Sequence, residues 1–171
     1  MKHGSIWWYR AIIMSIFCTP ERGFPVANTI TCRLVTPSKE LLNEEVIYAS
    51  VPQHDGLVGC QHGTSPLVAQ LGLGKLRLDF PANAGSGSRE YFIDGGFVKM
   101  AHNELVILAE RAIAAEEIIE TDARAELAEA NARVIPEDAS NRMESVANLT
   151  RERAAAQLKV TMASNSKAVG I

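Results

Sequence analysis

The chain has 171 residues, is 47% hydrophobic and carries a formal charge of -3. That length fits one domain or two small ones with a real core, and the charge gives no reason to expect nucleic-acid binding. Three cysteines (Cys18, Cys32, Cys60) at unrelated spacings, with no CxxC, argue against a disulfide framework and fit a reducing compartment.

Ile6 to Cys18 is the longest apolar run. Arg10 interrupts it, and it falls short of the ~20 residues a membrane span needs. Lys2 and His3 ahead of it give it the look of a signal core, but Thr19-Pro-Glu-Arg22 follows where a small-x-small cleavage site would stand. Residues 1–28 therefore read as a disordered leader, or as translation from an upstream start codon, in preference to an export signal.

From Ile30 the pattern turns to β. Ile30, Cys32 and Leu34 alternate with Thr31, Arg33 and Val35, and Thr36-Pro-Ser38 makes a turn. Val46 to Val51 reads as a second strand ended by Pro52, with Asp55-Gly56 as a turn. Leu57 to Cys60 and Leu67 to Leu71 are short apolar runs. Cys60, His62 and His54 supply three ligand types in one loop but no fourth at a standard spacing, so no metal site is expected.

Lys75 to Phe80 is the cleanest strand: Leu76, Leu78 and Phe80 share one face, and Lys75, Arg77 and Asp79 the other. Asn83 to Ser88 reads as a flexible loop. Tyr91 to Ala109 reads as two strands joined through Gly95-Gly96, where glycine permits a bulge or sharp bend, with a second turn at His102-Asn103. Short strands with frequent turns predict an antiparallel β-sandwich or barrel over residues 29–115.

The period then changes. Thr121 is a candidate N-cap, followed by Ala123, Leu127, Ala130 and Val134 at helical spacing. Pro136 stops that helix, and Asp138 or Ser140 can cap a second. Met143, Val146 or Ala147, Thr150, Ala154, Leu158 and Met162 are its expected apolar stripe. A short connector predicts an antiparallel two-helix hairpin over 116–162, with a frayed tail over 163–171. Glu110 to Arg133 holds seven acids and three bases; Asp138 to Ile171 holds three acids and five bases. A weakly attracting pair of solvated faces is the simpler reading, and an acidic partner for Arg151, Arg153 and Lys159 the sharper one. No Ser-His-Asp order, P-loop or metal motif is present, and Gly72-x-Gly74 is too short for a dinucleotide fingerprint, so no enzyme active site is expected.

Between Ile30 and Val160 the chain resembles the epsilon subunit of the bacterial F-type ATP synthase, the equivalent of the mitochondrial delta subunit. Leu34-Val-Thr-Pro37 is similar to the family's first strand and turn. Asp55-Gly-Leu-Val-Gly59, then His62-Gly63-x-x-Pro66-Leu67, is similar to its glycine-rich segment ending in Gly-His-x-Pro-Leu. Ile93-Asp-Gly-Gly-Phe-Val98 and Leu105-Val-Ile-Leu-Ala109 resemble its Ser-Gly-Gly-Phe strand and the strand after it.

The resemblance implies a non-catalytic stalk subunit on the cytoplasmic face of the cell membrane. In the family the sandwich binds the gamma subunit and the c-ring. It implies such contacts at Asp55, Gly56, Leu57, Gly59, Gly63, Pro66 and Leu67. It also implies helices that extend toward the alpha and beta subunits through Arg151, Arg153 and Lys159 and restrain ATP hydrolysis. Leu57 stands where the family often has an acid, and Thr64 where it has histidine. The Ile/Leu-Asp-x-x-Arg-Ala motif that binds ATP in some members matches at Arg124-Ala125, but Thr121 replaces its aspartate. ATP sensing through Arg124 is thus the alternative, not the favoured reading, and no other cofactor is implied.

Overall fold

The computed structural model describes residues 28–81, 87–134 and 141–169. The expected leader, most of the 83–88 loop, Pro136 and the candidate caps Asp138 and Ser140 lie outside them. Among the described residues, eight strands are followed by a 3-10 turn and two helices: β1 (Ile30–Val35), β2 (Glu40–Val46), β3 (Tyr48–Gln53), β4 (Gly56–Gln61), β5 (Leu67–Gln70), β6 (Leu73–Asp79), β7 (Ser88–Ala101), β8 (Glu104–Ala114), the turn Ala115–Glu117, α1 (Glu120–Ala132) and α2 (Arg142–Val169). This is the expected β-sandwich followed by a two-helix segment.

The hydrogen-bonded path runs β2-β1-β8-β7-β6-β3-β4, with β5 also on β7. It folds over on one core, to which every strand contributes, including Cys32, Val51, Cys60, Leu76, Ile93 and Ile107. Every pairing is antiparallel except β1 with β8. These two strands are far apart in sequence, so no tight turn dictates their relative direction.

Glu40–Val46 is a strand the apolar pattern does not reveal. Only Leu42 and Val46 are buried, while Glu40, Glu44 and Glu45 face water. β2 ends the hydrogen-bonded path, and charge on such a strand discourages pairing with other molecules. The expected strand Val46–Val51 is divided between β2 and β3, and Pro52 does not end it. Pro52 pairs with Leu57 one step from the hairpin turn. In a two-residue hairpin that pair is the non-hydrogen-bonded one, so a missing N–H costs the β3–β4 ladder nothing. Its carbonyl accepts from Gly72 N at 3.1 Å.

β7 is also not two strands. It runs unbroken through Gly95 and Gly96, which take φ 75° and 120°, and its register with β8 is the same on both sides of them. What changes at the glycines is the face. Tyr91 and Ile93 point into the core before them, Val98 and Met100 after them. β8 switches with it, from Ala112 and Ala114 to Ala109, Ile107 and Leu105, and the β5–β6 segment switches from Leu71 to Leu76 and Leu78. The inward face therefore inverts along one crease across three neighbouring strands. The glycines are needed there: a Cβ on Gly96 would lie 2.8 Å from Ala109 Cα and closer still to the Leu108 carbonyl oxygen. The second expected turn is present, with His102 at φ 52° and Asn103 at φ 61°.

The helices depart from the expected detail. α1 begins at Glu120 with Ile119 as its cap and no side-chain capping bond; Thr121 Oγ1 donates to Asp122 Oδ1 at 3.3 Å instead. Packing of Ile118 against Phe92, Ala115 and Met162 fixes the entry of the chain, and Glu120 and Asp122 offset the helix dipole. α1 ends at Ala132, so Val134 lies beyond it and is exposed. On α2 the buried residues are Leu149, Ala156, Met162 and Ala163, while Met143, Val146, Thr150 and Ala154 face solvent. Consecutive alanines at 154–156 satisfy more than one helical stripe, so the pattern could not select the face. α2 continues past Met162 to Val169.

Candidate functional interface

The crease divides the outer surface of β7 and β8 into two unlike halves. On the first, Phe92, Leu73 and Ile113 point outward and are covered by α2 through Ala155, Leu158 and Met162. On the second, Phe97 and Leu108 form a direct cross-strand pair and stay 57% and 52% exposed, with Val68 at 73%. Val35 pairs with Leu108 on the next strand. A shallow groove of about 310 Å³ runs along it, lined mainly by Val35, Pro37, Phe97, Leu108 and Ala109, with Thr36 and Glu110 as its polar members. Exposed apolar residues grouped on a sheet face make it a candidate docking face.

The residues expected to contact the ring and gamma are placed at both ends of β4. Asp55, Gly56 and Leu57 form the exposed β3–β4 tip, with Gly56 at φ 143° and Leu57 72% exposed. Gly63, Pro66 and Leu67 lie at the other end, roughly 17 Å away at ~3.3 Å per strand residue. There the Gly63 N–H donates to Asn103 Oδ1 at 3.0 Å, which ties this turn to the β7–β8 turn. Gly59, between the two groups, lies under the Tyr48 ring. Cys60 is buried in the core, while His54 and His62 are exposed. Burial, and then the neighbouring Cys60, pushes the Cys32 thiol up to about 12; burial also raises Cys60.

The three cations expected to meet the alpha and beta subunits all have partners within the chain. Arg151 donates from Nε and Nη2 to Asp94 Oδ1 at 3.0 and 2.7 Å, joining α2 to the sandwich. Arg153 donates to the carbonyl oxygens of Ala130 (3.0 Å), Asn131 (3.5 Å) and Arg133 (3.3 Å), closing the end of α1. Lys159 pairs with Glu126 at 2.7 Å and sits 5.4 Å from the Phe92 ring centre. The helices thus pack against the sandwich through Arg151 and Phe92. Arg124 pairs with Glu120 one turn away and is otherwise a solvated helix charge.

Sequence reasoning missed Phe97, Leu108 and Val68 as a surface. Each belongs to a run with apolar neighbours on both sides, and only the inversion at the crease turns them outward. Asp94 was missed as the partner of Arg151. The glycine pair was the one available signal for both.

Comparison with known proteins agrees with this geometry. The model for the beta-sandwich domain of the ATP synthase delta/epsilon chain matches residues 29–115, just over half of the chain. The ATP synthase epsilon chain of Rhodopirellula baltica is 36% identical over 102 residues, which is 60% of this chain and 77% of that one. The epsilon chain of Cereibacter sphaeroides is 33% identical over 116 residues, covering 66% and 85%. Among solved structures, a chain of the Euglena gracilis mitochondrial ATP synthase, from its OSCP/F1/c-ring portion, superposes with TM-score 0.62 at 25% identity, covering 85% of this chain and 92% of that one. A chain from the central stalk and c-ring of the Tetrahymena thermophila enzyme shares the fold, with TM-score 0.53 at 17% identity over 78% and 95%. Taken with the sandwich-and-hairpin architecture, these matches establish that the chain belongs to the delta/epsilon family of ATP synthase subunits, a non-catalytic component of that complex.

Proposed function

We propose that this chain is a central-stalk rotor subunit that couples gamma to the c-ring of a proton-translocating ATP synthase and restrains ATP hydrolysis through its helices. The observation that carries the reading is the apolar face of Val35, Val68, Phe97 and Leu108, left open on a sandwich whose neighbouring face is covered by its own helices. A coupling element must transmit torque without deforming, and a sheet closed on one core suits that task. The open face is assigned to gamma and the Asp55–Leu57 tip to the ring. Leu57 gives that tip an apolar contact where many relatives would offer a charge. Association with the cytoplasmic face of the membrane comes through the complex; among the described residues no helix is long and apolar enough to cross a bilayer.

Restraint of hydrolysis requires a hairpin with two positions of similar free energy. Its small contact with the sandwich, centred on Phe92, Ala115 and Met162, suits such an element. The test is a tagged chain purified from its own cells. Gamma and the ring should come with it, and Phe97→Asp should weaken capture of gamma while staying folded. Capture without either partner would end the stalk reading. ATP hydrolysis by the complex should rise when residues beyond Pro136 are removed; unchanged hydrolysis would remove the brake and leave the stalk.

A further inference from the structure

Gly95 has no side chain, and the space is used. A Cβ there would lie 2.8 Å from Glu110 Oε2 and 3.0 Å from Arg151 Nη2. The guanidinium of α2 therefore enters a notch on the crease, beside Glu110 and against Asp94, whose side chain is only 13% exposed. Directly across the β7–β8 ladder from Asp94 stands Arg111. Asp94, Arg111 and Arg151 line the same cleft of about 440 Å³ between the sandwich and the hairpin. Arg111 makes no ion pair among the described residues, while Arg151 holds Asp94 in both of its hydrogen bonds.

We propose that Arg151 and Arg111 compete for Asp94, so that the carboxylate exchanges one guanidinium for the other as α2 leaves the sandwich. This rests on the reading that the hairpin undocks. When α2 leaves, Asp94 gives up two charge-assisted hydrogen bonds. With Arg111 waiting on the adjacent strand, Asp94 is paired in both arrangements, and that cost is removed from the undocking step. The device sets the balance between docked and released hairpin through one sandwich residue. Because Arg151 is 54% exposed, its bond to Asp94 weakens as salt screens it.

The test is amide hydrogen exchange of α2 in the full chain, with β1 and β8 as the internal reference for an intact sandwich. Arg151→Gln should raise α2 exchange about tenfold. Arg111→Gln should lower it, because the released state loses its alternative pair. An Arg111→Gln chain with unchanged or faster α2 exchange overturns the competition, and so does an α2 indifferent to Arg151→Gln while Met162→Ala releases it. If α2 ignores Met162→Ala as well, the hairpin does not undock, and the underlying reading fails with it.

Discussion

The two halves of the β7–β8 hairpin share one ladder and differ in what covers them. Before the crease, Phe92 and Ile113 lie under α2; after it, Phe97 and Leu108 lie open. Both halves feed the same core, so the contrast is made outside it, by a pair of glycines that turns the inward face over. A short chain thereby obtains one surface for its own helices and another for a partner from two strands. Self-contact and partner contact are kept apart, so the hairpin can move without disturbing the open face.

The contrast is broken most severely at its origin. Gly96→Ala should cost about 4 kcal/mol or more, because it combines a disfavoured φ with a collision against backbone. Gly63→Ala, at φ 78° with nothing within 4 Å of the added carbon, should cost only about 1–2 kcal/mol. Urea midpoints of the two variants measure the difference; equal losses would mean that the crease does not depend on close approach at Gly96.

The next test sets one aromatic against the other. Phe92→Ala should release α2, with a stability loss limited to the few kcal/mol, about 1–3, that docking of the helix contributes. Phe97→Ala should stay within about 1 kcal/mol in the isolated chain and weaken capture by the stalk. A Phe97→Ala chain as unstable as Phe92→Ala would show that the open half is covered in solution.

Core chemistry gives an effect common to both halves, confined to alkaline pH. The folded Cys32 thiol holds its proton up to about 12 against an ordinary value of 9.0. Between those values the unfolded chain loses the proton and the folded chain keeps it, so the unfolded state binds fewer protons. The contribution of this thiol to stability is complete below pH 9 and falls as pH rises toward 12. Denaturation curves across that range should show the decline, and Cys32→Ala should flatten it. Consistent with burial, a thiol reagent at neutral pH should modify Cys32 only on unfolding. Smallest of all, Arg124→Ala removes one i,i+4 helical pair whose guanidinium is solvated and should change stability by no more than about 0.5 kcal/mol; a larger loss would give Arg124 a role beyond its own helix.

How far the chain could be read in advance follows the same physics. β6 was legible because Leu76 and Leu78 alternate with the charged residues Lys75, Arg77 and Asp79, and the His102-Asn103 turn because asparagine tolerates positive φ. β2 was hidden by the acids that protect it, and the α2 face by alanines that suit any stripe. The glycine pair was visible, but a face inversion with register preserved is a property of three strands together, and no one of them records it. For the same reason the ring-contact residues formed one motif in sequence yet occupy two ends of β4. The partners of Arg151, Arg153 and Lys159 depend on how the hairpin sits, which local spacing does not encode.

The most direct measurement of the central claim is binding of the purified chain to its own gamma subunit, compared between the unaltered protein and Phe97→Asp, with hydrogen exchange confirming that the sandwich and α2 keep their protection in both. This single charge on the open half should abolish binding while the covered half stays closed. Undiminished binding by a folded Phe97→Asp chain would contradict it.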